Sequence, residues 1–186
     1  MQNLSQKKQK LNYSKDVLDI VQFGSSLNQE NPNDIDIAVI FKPIPIKEQL
    51  NQSQEIKKQI QELSKTPIHI TSFDLYNFFD KGNFAKDSIL IYGKSLISGD
   101  YFSNNFGVAP KVQIIYSLND LKKKDKVKFN YLLNGKSGKY GLLREFNGKL
   151  IAPGIIEIPP EHETIFTEAI KKITSRFEIN KTLIFK

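Results

Sequence analysis

Two aspartates, Asp34 and Asp36, stand at i and i+2 in Asn33-Asp34-Ile35-Asp36-Ile37-Ala38-Val39-Ile40. A strand repeats its side-chain direction every second residue, so both carboxylates point to one face and Ile35, Ile37 and Val39 to the other. Two carboxylates held side by side repel unless a cation sits between them. Mg²⁺ suits the place, being a hard cation that takes one or two carboxylates plus substrate phosphates. Upstream, the apolar run Val21-Gln22-Phe23 ends in Gly24-Ser25-Ser26. Glycine permits a tight turn and close approach of a ligand. If a helix starts just after it, its free N–H groups and the Ser25 hydroxyl can hold a triphosphate. The plainer alternatives are a solvent-facing acidic pair on an edge strand and a helix N-cap at Ser25.

Phe23-Gly24-Ser25, then eight residues, then Asp34-Ile35-Asp36-Ile37 resembles the nucleotidyltransferase superfamily of the DNA polymerase beta type, and in particular its small stand-alone minimal members. The likeness is strongest between Val21 and Phe41. It implies a small mixed sheet flanked by helices, an NTP substrate bound at Gly24 and Ser25, and Mg²⁺ or Mn²⁺ held by Asp34 and Asp36. The implied reaction moves a nucleoside monophosphate from the NTP to a hydroxyl of an acceptor. The family usually carries a third carboxylate on a neighbouring strand, as metal ligand and general base. Here that segment, Pro67-Ile68-His69-Ile70-Thr71, offers His69. Three readings stand open. His69 is a general base, since imidazole titrates near neutral pH but is a poor Mg²⁺ ligand; Asp74 or Glu30 supplies the carboxylate; or the fold binds without catalysing. A lone strand histidine is more often structural, and Asp74 at a helix start more often a cap. The gap before Asp34 is also short for the family, and Ser26, Leu27 and Asn28 stand where a basic residue often follows Gly-Ser.

The elements that must position these groups follow from pattern. Leu4 to Tyr13 reads as a short opening helix, Val17 to Phe23 and Asp34 to Phe41 as neighbouring strands. Ile46, Leu50, Ile56, Ile60 and Leu63 recur at helical spacing, which predicts an amphipathic helix from Lys47 to Ser64, stopped near Pro67. A strand over Ile68–Thr71, helices over Asp74–Phe79 and Asn83–Tyr92, and a short strand over Lys94–Ile97 complete an α/β layer with a mixed sheet. Gly, Asp, Ser, Asn and Pro cluster between Gly99 and Lys111, which predicts a boundary near Gly107: a nucleotidyltransferase-like domain over 1–107 and a small basic α+β domain over 108–186. The second contains a basic helix over Leu118–Leu133, a glycine-lysine loop over Gly135–Gly141, a short element of either type over Leu142–Phe146, a strand over Gly154–Ile158, a helix over Glu161–Phe177 and a closing strand over Thr182–Phe185.

Charge separates the halves. Residues 1–107 hold 12 Lys against 12 acids, whereas 108–186 hold 13 Lys and 2 Arg against 8 acids, so the whole net charge of +7 lies in the second part. Lys122, Lys123, Lys124, Lys126, Lys128, Lys136, Lys139 and Arg144 are the candidate phosphate contacts for an RNA, with Tyr131 and Tyr140 able to stack on bases. The plain alternative is a solvated helix face. Gly135-Lys136-Ser137 is not a P-loop, because Asn130 stands where the first glycine is required and a helix precedes it. His162 reads as an ordinary surface residue. There is no Cys, which excludes disulfides and thiolate metal sites. No apolar leader region and no run long enough to span a membrane is present, so a cytoplasmic location is expected. The expected activity is NTP-dependent transfer to an RNA, for example tRNA, or to a protein. The alternative is an inactive module of the same fold that holds nucleic acid or a protein partner, as an antitoxin does. A third, weaker alternative is a small-molecule transferase resembling the antibiotic adenylyltransferases; the basic second half gives it no support.

Overall fold

The computed structural model describes residues 4, 10–29, 31–136 and 139–186, with the side chain of Lys139 excepted. Within them the chain is mixed α and β and forms two compact units, Met1–Ala109 and Pro110–Lys186. No helix of the described residues is long and apolar enough to cross a membrane.

The first unit is built on β1 (Val17–Phe23), β2 (Ile35–Phe41), β3 (Ile68–Asp74) and β4 (Lys94–Ser95), in the spatial order β3-β2-β1-β4. β1 lies antiparallel to β2 and β4, and β2 parallel to β3, so the sheet is mixed. Both faces of β2 are covered, and Asp36 is its one residue that is not buried. One face packs under α1 (Ile46–Leu63) through Ile20, Ile37, Val39, Ile56 and Ile60. The other face packs through Val21, Ala38 and Ile40 against Phe78 of α2 (Leu75–Phe79), Ile89 of α3 (Lys86–Tyr92) and Phe102 of a 3-10 turn over Phe102–Phe106. A parallel β2–β3 pair needs a crossover, and α1 supplies it.

Four expectations shift here. Residues 10–13 are not helical, and the rest of the opening helix lies outside the described residues apart from Leu4. β3 runs on to Asp74. α3 starts at Lys86, because Asn83 closes a turn instead, its Oδ1 accepting from Ala85 N–H. The buried stripe of α1 is Gln49, Ser53, Ile56 and Ile60, whereas Ile46 and Leu50 are 70% and 52% exposed. At 100° per residue those two lie about 40–120° round the helix from Ile56 and Ile60.

The second unit has a four-stranded sheet of order β10-β5-β9-β8, from β5 (Val108–Tyr116), β8 (Lys149–Ala152), β9 (Ile155–Ile158) and β10 (Phe177–Phe185). β6 (Gly135–Lys136) and β7 (Lys139–Tyr140) form a separate small hairpin. One sheet face carries Val112, Ile114, Ile156 and Ile158 onto Phe129 and Leu133 of α4 (Lys123–Asn134), Leu143 of α5 (Leu142–Glu145), and Phe166 and Ile170 of α6 (Glu163–Lys171). Strands β5 and β8 are additions to the sequence reading. The long final helix ends at Lys171, and β10 begins six residues later at Phe177. Residues 174–176 are drawn to Ser117 instead: its carbonyl accepts from the Thr174 hydroxyl at 3.3 Å and its N–H donates to the Arg176 carbonyl at 3.0 Å. The basic helix starts at Lys123, after a turn in which Asp120 pairs with Arg176.

Candidate functional site

The carboxyl end of β1 and the start of β2 come together because the two strands are antiparallel, which sets Phe23 opposite Asp36. Gly24 follows with φ 76° and ψ −162°, a combination essentially reserved for glycine. The chain then makes a single 3-10 turn over Ser25–Leu27. A Cβ on Gly24 would also lie 2.5 Å from Asp36 Oδ2, the free end of a side chain. The Asp36 carboxylate therefore rests directly on the Gly24 backbone. Ser25 is exposed beside it. Ser26 is buried, its hydroxyl accepting from Gln22 Nε2 at 3.1 Å and donating to the Phe23 carbonyl at 3.3 Å, which ties the turn to β1.

Parallel pairing of β2 with β3 sets His69 opposite Asp36. His69 Nδ1 lies 3.2 Å from Asp36 Oδ1, with the histidine side chain 67% exposed and the aspartate 25% exposed. An ionised carboxylate only accepts, so Nδ1 carries the proton in this bond and the Nε2 of a neutral ring is an acceptor. Asp34 is exposed and stands one residue ahead of β2. Gly24, Asp36 and His69 thus converge, with Ser25 and Asp34 flanking them.

Asp74 does not converge. It stands opposite Phe41 at the far end of β3, five residues or about 16 Å from the Asp36 position. It caps α2, accepting from the Asn77 N–H at 2.9 Å and from Asn77 Nδ2 at 2.8 Å. Glu30, the other candidate acid, lies outside the described residues. Among the described residues no three His, Cys, Asp or Glu side chains are grouped to hold a metal ion. By donor type, Asp36 and the exposed Asp34 are of the kind Mg²⁺ takes, one or two carboxylates with the remaining oxygens from a phosphate chain.

In the second unit Lys122, Lys123, Lys124, Lys126 and Lys128 are exposed. At 100° per residue they spread around the open sides of α4 instead of forming one stripe. Lys128 also faces Asp125 at 3.7 Å. Lys136 is exposed in β6, the side chain of Lys139 lies outside the described residues, and Tyr140, Gly141, Arg144 and Glu145 line one hollow. The glycine-rich loop has a packing cause: a Cβ on Gly141 would meet the Leu133 carbonyl oxygen at 2.5 Å, so the hairpin lies close on the end of α4. His162 is not a bare surface group, since its ring packs against Phe146 with centroids 4.8 Å apart and the planes tilted by 52°.

The sequence reading passed over Asp19, although the apolar run Val17-Leu18-Asp19-Ile20-Val21 was the signal. Asp19 is 2% exposed. Its Oδ1 accepts from the Ser95 hydroxyl at 2.6 Å and the Ile20 N–H at 2.7 Å, and its Oδ2 from Asn105 Nδ2 at 2.6 Å. Burial raises its carboxyl above the ordinary value of 3.8, and the three hydrogen bonds oppose the rise. The native state thus keeps this proton to higher pH than the unfolded chain. The stability so contributed is full below the unfolded value and declines as pH rises through the raised native one. In Asp19→Asn that decline is removed, so the variant should gain on the parent protein as pH rises from about 4. Urea midpoints measured across pH check this; parallel curves would contradict it.

Comparison of the chain with protein-family models, with curated proteins and with solved structures finds no match.

Proposed function

We propose that the first unit is a nucleotidyltransferase that moves a nucleoside monophosphate from an NTP to a hydroxyl of an RNA or protein acceptor. The observation that carries this reading is the seating of the Asp36 carboxylate on Gly24, with His69 on its other oxygen. In this reading Asp34 and Asp36 hold Mg²⁺ or Mn²⁺, which when bound neutralises charge on the triphosphate and on the departing pyrophosphate. The Gly24 backbone admits the phosphates at close range, and the Ser25 hydroxyl donates to them. Asp36 fixes the His69 tautomer through Nδ1–H, so that Nε2 takes the proton from the acceptor hydroxyl. The exposed lysines of α4, with Lys136 and Arg144, supply sequence-independent contacts to RNA phosphates.

The test is incubation with each labelled NTP, Mg²⁺ or Mn²⁺, and total RNA or lysate protein. Label transfer that disappears in Asp34→Ala and Asp36→Ala supports the enzyme. In His69→Ala, transfer should fall about a hundredfold, as loss of a general base does; unchanged turnover would make this histidine structural. For RNA binding, Lys123, Lys124 and Lys128 changed together to alanine should lower the log–log salt slope by about 2–3 if each contacts a phosphate. The second reading is an inactive module of the same fold. It is favoured by the imidazole, not a carboxylate, that faces Asp36 on β3, and it requires RNA or partner binding with no transfer.

A further inference from the structure

We propose that the cavity over Asp19 binds a small organic amine, its ammonium on the Asp19 carboxylate and its hydrocarbon body against the apolar walls. The cavity measures about 370 Å³ and is lined by Asp19, Leu18, Ile40, Leu75, Phe102 and Phe106, among others. This is within the size range of small-molecule sites, which are mostly apolar with a few placed polar groups.

It is not the site at Gly24. Residues 19, 21 and 23 of β1 share one face of the sheet, and Asp19 is paired with Ile40 whereas Phe23 is paired with Asp36. Four residues of strand separate the two positions, about 13 Å. The inference holds whether or not the first unit transfers nucleotides.

The carboxylate itself specifies the ligand. A charge taken out of water is costly unless it is paired. Among the described residues no lysine, arginine or histidine forms an ion pair with Asp19. Its three donors are a hydroxyl, a backbone N–H and an amide, all neutral. The Ser95 hydroxyl is fully used, since its oxygen also accepts from the N–H groups of Ile97 at 3.2 Å and Ser98 at 3.0 Å. Oδ1 holds two hydrogen bonds and Oδ2 one, so one acceptor position of the roughly four on a carboxylate is left, on Oδ2. A single open position suits the point donors of an ammonium and not the two-pronged fork of a guanidinium. A hard metal ion wants several free oxygens; beyond Asp19 the polar lining is Ser95, whose hydroxyl is already used, Ser98, whose Oγ accepts from the Asp100 N–H at 3.2 Å, and Asn105, whose amide nitrogen is held on Asp19. Burial also raises the Asp19 carboxyl, as a carboxylate still lacking its cation would show.

The test titrates the full chain at neutral pH with 2-phenylethylammonium and n-hexylammonium. The controls are their neutral isosteres 2-phenylethanol and 1-hexanol, and binding is followed by calorimetry and by ¹H–¹⁵N spectra. The ammonium compounds should bind at least about tenfold more tightly than the alcohols, the margin of a charge-assisted hydrogen bond. Their largest shifts should fall on Ser95, the Asn105 side-chain amide and Phe106. In Asp19→Asn the preference should vanish while the alcohols bind as before. Equal binding of amines and alcohols by the parent protein overturns the proposal, as do shifts centred elsewhere or no binding up to about 10 mM. The comparison within the parent protein decides the matter even if the variant does not fold.

Discussion

Replacing Gly24 with alanine should destabilise the first unit by about 3 kcal/mol, adding the strain of a glycine-only backbone conformation to that of an overfilled contact. The strain term follows from φ 76° and ψ −162° at this position. The contact term follows from the 2.5 Å between the new Cβ and Asp36 Oδ2. Relief has two routes. The backbone turn can open, which breaks the Ser26 hydroxyl bonds that tie it to β1. Alternatively the Asp36 carboxylate can swing away, which parts it from His69. Urea unfolding reads the first outcome. The His69 ring resonances, followed by NMR, read the second. A variant as stable as the parent, with an unmoved His69 signal, would mean that Gly24 and Asp36 are not in contact. The phosphate cradle would then have no basis.

For chemistry the largest loss should come from Asp36→Ala: transfer reduced about a thousandfold or more, if the proposed activity is correct. Asp36 serves two purposes in that reading. It holds the metal, and it orients the ring of His69, whose loss as a base alone accounts for about 10²–10⁴ in rate. Because both functions pass through one carboxylate, Asp36→Ala combined with His69→Ala should be little worse than Asp36→Ala alone. Independent losses that multiply would show that the 3.2 Å contact has no part in turnover. The variant should fold, since Asp36 is the one residue of β2 that is not buried. Circular dichroism and the urea midpoint establish that before activity is compared.

Several features were legible in the chain because they depend on near neighbours alone. β1 has the bounds that its apolar run and Gly24 predict, and β2 begins at Ile35, immediately after the predicted Asp34. Asp74 caps a helix, as its position before Leu75 suggests. Other features were concealed for identifiable reasons. Pro110 argues against a strand, yet β5 runs through it, because the paired stretch with β9 spans only Val112–Ile115 and leaves the proline outside it. In α1, Ile46 and Leu50 share the helical spacing of Ile56 and Ile60 yet are exposed. Gln49 is buried in their stead, its Nε2 donating to the Ile44 carbonyl at 2.9 Å.

What the amino-acid order determined by itself is therefore the local material: a glycine that can turn, two carboxylates two residues apart where a strand begins, a positive excess confined to residues 108–186. Only the tertiary structure decided what those groups meet. Asp36 touches Gly24 because β1 and β2 are antiparallel, and it faces His69 because β3 is parallel to β2; register is a property of the assembled sheet. Asp19 reads as an interruption in an apolar run. It becomes the polar end of a cavity only when Ser95 and Asn105, far along the chain, are folded onto it. Contacts between residues so distant in sequence depend on the whole sheet, and no short window of the chain contains them.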